Sequence, residues 1–168
     1  MPISMYTASI PILIRMLTNL DGILDKAVAY AEERKIEPAV LINSRLYPDM
    51  LPLASQIRIV SDTAKGCAAR LAGITPPRYE DNEVSFPELK ERIKKTVEYL
   101  RTFKPEQIDG SEDRIITLPL RDTELTLPGL KYLQGFVYGN FYFHVTTAYA
   151  ILRHNGVEIG KKDFLGGM

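Results

Sequence analysis

Two side chains in an otherwise apolar stretch are the first place to look for chemistry: Asn140 and His144, within Asn140-Phe-Tyr-Phe-His-Val-Thr-Thr-Ala-Tyr-Ala-Ile-Leu-Arg-His-Asn-Gly156. An imidazole can exchange a proton near neutral pH or ligate a metal, and an amide can orient it or a ligand. Four residues make about one helical turn, so both groups leave the same helix face. Leu133, Val137, Asn140, His144, Thr147 and Ile151 carry the alternating four-three spacing of a helix packed against neighbours. The pair therefore points inward, where an unsatisfied polar group costs about 1–3 kcal/mol, and each member needs a partner.

The remaining inventory excludes several chemistries. The chain has two histidines, and His154 lies ten positions beyond His144, nearly opposite in rotation and about 15 Å along a helix axis. They cannot share a metal within one chain. His154 falls in the last helical turn, where an imidazolium would favour the negative end of the dipole. The single Cys67 rules out an internal disulfide and any multi-cysteine metal site, and its place in an apolar seam marks it as a core thiol. Gly156-Val-Glu-Ile-Gly-Lys-Lys162 is one residue short of a phosphate-binding loop, lacks the following Ser or Thr, and comes after a helix instead of a strand. No Gly-x-Ser-x-Gly occurs.

A chain of 168 residues with 45% apolar and 25% charged residues fits one globular domain spanning residues 1–168. Lys plus Arg equals Asp plus Glu at 21 each, so there is no excess positive field for nucleic acid or anionic lipid. Neither partner is expected. Ile10-Pro11-Ile12-Leu13-Ile14 is followed at once by Arg15 and has no basic leader before it. No apolar run approaches the ~18 residues needed to cross a bilayer, which points to a cytoplasmic protein.

The elements that must position Asn140 and His144 follow from periodicity. Leu13, Leu17, Leu20, Leu24, Ala27 and Ala31 define a first long helix over about 4–34, with its first turn bent near Pro11 and a stop at Glu37-Pro38; a short helical turn is expected within 39–46. Leu53, Ile57, Val60, Ala64, Cys67 and Leu71 define a second over about 50–72, closed by Gly73. The acidic run Glu80-Asp81-Asn82-Glu83 reads as a solvated loop. Ser85-Phe-Pro-Glu88 reads as a capping box that opens a third helix reaching about Phe103. Ile115–Leu118 and Glu124–Leu127 predict a small β-hairpin whose edges cover the bundle or meet a partner. A fourth helix runs from about Leu130 to His154, and Ile159, Phe164 and Leu165 anchor a tail that extends to Met168.

These elements, together with Arg45-Leu-Tyr-Pro-Asp-Met-Leu-Pro-Leu-Ala-Ser-Gln56, the string from Asn140 to Val157 and Gly160-Lys-Lys-Asp-Phe-Leu-Gly166, resemble the domain of unknown function 1993 family. That family is grouped with the DinB/YfiT-like proteins. The resemblance implies an all-α, four-helix bundle with a small β-hairpin between helices three and four, and a homodimer. Superfamily members hold a divalent metal with three histidines, one on helix two and a His-x-x-x-His pair on helix four, and some use small thiols. The resemblance puts His144 at the second histidine of that pair and Asn140 at the first. Helix two has no histidine, and Gln56 is the polar residue nearest the expected position.

An amide is a poor ligand for zinc or nickel, so the implied site is degenerate and no cofactor is expected. Three arrangements remain open. Gln56, Asn140 and His144 form a hydrogen-bonded polar layer that sets helix register; or Asn140, Tyr142, His144 and Tyr149 line a small-molecule pocket; or His144 and Gln56 bind a divalent metal with Asp49 or Asp62. The functional expectation is a non-catalytic or small-ligand-binding bundle. Its competitor is a metal-dependent or thiol-using enzyme, of transferase or isomerase type, centred on His144.

Overall fold

The structure, a computed structural model, describes residues 3–167, so the Met168 end of the tail lies outside it. The long helix α1 (Met5–Arg34) starts where Ser4 Oγ accepts the Thr7 amide, and it closes at Lys35 in a left-handed conformation. All six residues of its expected stripe are buried, and Pro11 lies exposed inside the helix without ending it. The short α2 (Pro38–Ile42) has proline at its first position, where the missing amide costs nothing.

Helix α3 (Leu53–Leu71) begins three residues later than expected. The physical reason is Pro52, whose ring disfavours helical backbone at Leu51. Helix α4 (Phe86–Arg101) opens with the expected capping box: Ser85 Oγ accepts the Glu88 amide, while Glu88 Oε2 accepts the Ser85 amide at 2.9 Å. A single turn, α5 (Pro105–Ile108), leads to the antiparallel hairpin β1 (Ile115–Pro119) and β2 (Glu124–Pro128), in which Ile115 pairs with Pro128 and Pro119 with Glu124.

The last long helix is continuous from Gly129 to His154 but changes winding: α6 (Gly129–Lys131), a π-helical stretch over Tyr132–Val137, then α7 (Tyr138–His154). A side chain at Gly129 would place its Cβ 2.0 Å from the Ser111 carbonyl oxygen, so the junction with the hairpin requires glycine. The tail forms a further short helix, α8 (Lys161–Leu165), missed in the sequence. It is tied to α1 by Arg15 and Asn19, which donate to the Leu165 and Phe164 carbonyls, and by a Lys26–Asp163 ion pair of 2.6 Å.

The buried apolar residues form one cluster, with α3 packed against both α4 and α7 and α1 against α4 and α7. Cys67 lies within it; burial pushes its thiol pKa up to about 12, which makes it inert as a nucleophile.

The acidic segment is the expected loop, with Glu80, Asp81 and Asn82 exposed, but it is tied down and its last residue, Glu83, is buried. Arg92, with a side chain only 2% exposed, gathers Asp62, Asp81 and Glu83 at 2.8–3.0 Å and also donates to the Glu80 carbonyl. Arg58 pairs with Glu83 at 2.9 Å, Lys65 pairs with Asp62 at 2.8 Å, and Lys65 and Lys95 flank the Tyr79 ring. Three carboxylates thus face three cations, and the segment is strapped across α3 and α4. Desolvating Arg92 is tolerable only with that company.

Candidate functional site

Seven residues of α3 separate Gln56 from Thr63, and four residues of α7 separate Asn140 from His144. The two helices run antiparallel, so Gln56 meets His144 and Thr63 meets Asn140. His144 Nδ1 lies 2.6 Å from Gln56 Oε1, and Asn140 Nδ2 donates to Thr63 Oγ1 at 2.8 Å. The Asn140 and His144 side chains therefore both turn toward α3. They do so through two separate cross-helix bonds, one turn apart on α7 and two on α3, and Thr63 was not foreseen as a partner. Its hydroxyl was hidden among the ordinary residues between the apolar positions of the α3 seam.

The atoms of the lower bond define its chemistry. Gln56 is 2% exposed, and its Nε2 donates to the Leu51 carbonyl at 2.9 Å. That bond turns Oε1, an acceptor only, toward the imidazole, so His144 Nδ1 must carry the hydrogen. Nε2 is then left with a lone pair. Burial lowers the His144 pKa below its ordinary 6.5, which keeps the ring neutral at pH 7. The Phe143 ring stands edge-on to it, with centroids 5.1 Å apart.

The other candidates lie elsewhere. Tyr142 is two positions from His144, about 200° around the helix. Tyr142 contacts Phe141 and Tyr138, while Tyr149 packs edge-on against Phe164 of α8 with centroids 6.1 Å apart. A cavity of about 550 Å3 opens between α7 and the segment before α3, lined in part by Leu46, Met50, Gly139, Tyr142, Phe143 and Thr146. Of the five sequence candidates only Tyr142 reaches it. A larger groove of about 1020 Å3 lies on a different face, between α1 and α4, with Val28, Ile36, Ile93 and Val97 in its lining and Lys90 bridging Asp21 and Asp25 at its edge. Neither cavity is lined by Gln56, Asn140, His144 or Tyr149.

The residues do not fit a divalent metal. The Gln56 oxygen is already taken by Nδ1–H, and Asn140 turns its nitrogen, which is no ligand, to Thr63. Asp62 is engaged by Arg92 and Lys65. Asp49 sits on the exposed segment before α3, and among the described residues no group of three or more His, Cys, Asp or Glu is arranged to hold an ion. One unshared imidazole nitrogen is the whole donor set. Among the described residues no helix is long and apolar enough to cross a membrane.

The comparisons agree with this architecture. No curated protein matches the chain. A DinB family member protein from Shewanella denitrificans, solved by crystallography, superimposes with a TM-score of 0.91 at 42% identity, covering 97% of this chain and 92% of that one. The model of the family described as Domain of unknown function (DUF1993) matches residues 5–165. The chain is thus a DinB-like, mostly helical bundle with one small hairpin, and it belongs to the DUF1993 family.

Proposed function

We propose that this protein is a non-catalytic, small-ligand-binding helical bundle in which the superfamily's three-histidine position has become a neutral hydrogen-bonded seam. The supporting observation is the 2.6 Å bond between His144 Nδ1 and Gln56 Oε1, with the amide fixed from behind by Leu51. That arrangement occupies every polar atom of the pair except His144 Nε2. A ligand offering a hydroxyl or amide hydrogen would complete it at the half-buried imidazole, whose chain neighbour Phe143 lines the smaller cavity. The working unit in this reading is a homodimer, the assembly that the family resemblance implies.

The test is metal analysis and zinc titration of the full chain purified without chelator. Substoichiometric metal and no saturable tight binding are expected. One zinc, nickel or iron per chain would overturn the reading.

A second reading, an enzyme acting on small thiols, is favoured by one feature: a neutral imidazole with Nε2 unclaimed is equipped to act as a general base. It requires turnover of a thiol substrate by the wild type that His144→Ala abolishes while leaving the helical circular dichroism in place.

A further inference from the structure

Five cationic side chains among the described residues are buried or half-buried: Arg58, Lys65, Arg70, Lys90 and Arg92. Four of them hold carboxylates at 2.7–3.0 Å. Arg70 holds none. Its polar contact is the Tyr132 phenol oxygen at 3.4 Å, longer than a good N–H to oxygen bond, so the donor fork of its guanidinium is almost wholly idle. The helix dipole does not account for a cation left in this state. Arg70 stands in the last turn of α3, where a positive charge is favoured, but its guanidinium is folded back over Gly66, a turn earlier, where a Cβ would collide with Nη1. It donates to none of the final carbonyls. The sealed side-chain atoms without a partner belong to Arg92 and Ser111 among the described residues, so the idle N–H groups of Arg70 are reached from solvent.

The position of Arg70 is as informative as its state. Gln56, Thr63 and Arg70 are seven residues apart on α3 and fall on one stripe, and each is bonded to the last helix, through His144, Asn140 and Tyr132 in turn. In an uninterrupted α-helix Tyr132 would sit about 120° around from His144. The wider winding of the π-helical stretch over Tyr132–Val137 turns less per residue and brings the phenol onto the seam, above Arg70. Tyr132 is 1% exposed, and burial pushes its pKa up, so the phenol keeps its hydrogen. Its oxygen accepts from Arg70, which leaves that hydrogen free to donate.

We infer that Arg70 and Tyr132 form a binding subsite for the carboxylate of a small organic acid. A carboxylate meets the planar guanidinium fork with two oxygens and takes the phenol hydrogen as a further bond. One negative charge answers one positive charge. A phosphate would bring close to two charges and a third oxygen, for which this pair has no second cation. The inference goes beyond the His144 reading and stands without it, because the two ends of the seam offer different atoms: a bare lone pair at one, idle donors at the other.

Titration of the labelled full chain with acetate and benzoate at constant ionic strength, followed at the Gly66 and Tyr132 amides, tests the subsite. Saturable shifts are expected with both acids and none with chloride. Arg70→Gln should abolish them, and Tyr132→Phe, which keeps the buried ring, should weaken binding about tenfold, as loss of one charge-assisted hydrogen bond does. Without ligand, Arg70→Met should melt no lower than the wild type, since the cation has no ionic partner to lose. No saturable shift with either acid, or equal binding by folded Arg70→Gln, would overturn the subsite. A lowered midpoint in Arg70→Met would make Arg70 a structural residue and overturn it too. Inorganic phosphate binding as tightly as the acids would overturn the ligand class.

Discussion

Helix α3 is polar on two sides, and it solves the burial problem differently on each. Toward α4 it contributes Arg58, Asp62 and Lys65 to an ionic network centred on Arg92, with cations and carboxylates equal in number. Toward α7 it contributes Gln56 and Thr63 to two neutral bonds. The ionic side is closed: almost every donor finds an acceptor, with Arg92 Nε the exception. The neutral side leaves the one basic atom with no partner, His144 Nε2. Buried charge calls for full compensation, whereas on the neutral side the half-buried His144 leaves only a lone pair without a partner.

The largest effect separating the two sides is expected at Arg92. Arg92→Ala removes the cation shared by Asp62, Asp81 and Glu83 and should destabilise the fold by about 3 kcal/mol, lowering the thermal midpoint by several degrees. Amide exchange should accelerate across residues 78–84, the strapped segment. A change confined to a few tenths of a kcal/mol would make the network an ordinary surface one.

His144→Ala should cost about 2–3 kcal/mol, from the cavity and from the buried Gln56 oxygen left without a donor. Replacing both partners, as in Gln56→Leu with His144→Leu, should recover much of that loss, since two apolar groups leave nothing orphaned. Chemical denaturation of the single and double variants measures the coupling. Additive losses would mean that the 2.6 Å bond contributes nothing.

Acid should dissolve the two sides in a fixed order. The His144 pKa is lowered by burial, so the unfolded chain binds a proton before the folded one does. Stability is complete above the ordinary value of 6.5 and falls as pH drops from there toward the folded value. For Glu83, burial alone would raise the pKa, but hydrogen bonds from Arg92 and Arg58 outweigh it and hold the carboxyl below 4.5. Its contribution is present above 4.5 and is lost below. A wild-type profile with one loss beginning near 6.5 and another below 4.5, the first absent in Gln56→Leu/His144→Leu, is the expected pattern.

The smallest effect is expected from Asn140→Ala, about 1 kcal/mol, because Thr63 is a neutral partner whose hydroxyl can rotate toward another acceptor.

The long elements were legible because a buried stripe repeats, as Leu13 to Ala31 does in α1, and because a start signal, the Ser85–Glu88 capping box, marks the head of α4. The inward direction of Asn140 and His144 was legible for the same reason. The Arg92 network was not, since a charged residue between Leu89 and Ile93 looks solvated until the chain from Tyr79 to Glu83 folds over it. The π-helical stretch over Tyr132–Val137 escaped because its apolar residues fit an α-helical seam nearly as well. The separation of Tyr149 from His144, five positions or about 140° around one helix, was legible, but its packing on Phe164 was not, because α8 is a five-residue helix with no periodicity to read.

The central claim is that His144 is a neutral imidazole with its hydrogen on Nδ1 and a bare Nε2. Long-range proton–nitrogen correlation spectra of the labelled full chain at pH 7 observe both ring nitrogens directly. A protonated Nδ1 beside an unprotonated Nε2, with titration only below pH 6.5 and no change on adding zinc, is the predicted result. A hydrogen on Nε2, a doubly protonated ring at pH 7, or a zinc-induced shift of Nε2 at one equivalent would contradict it.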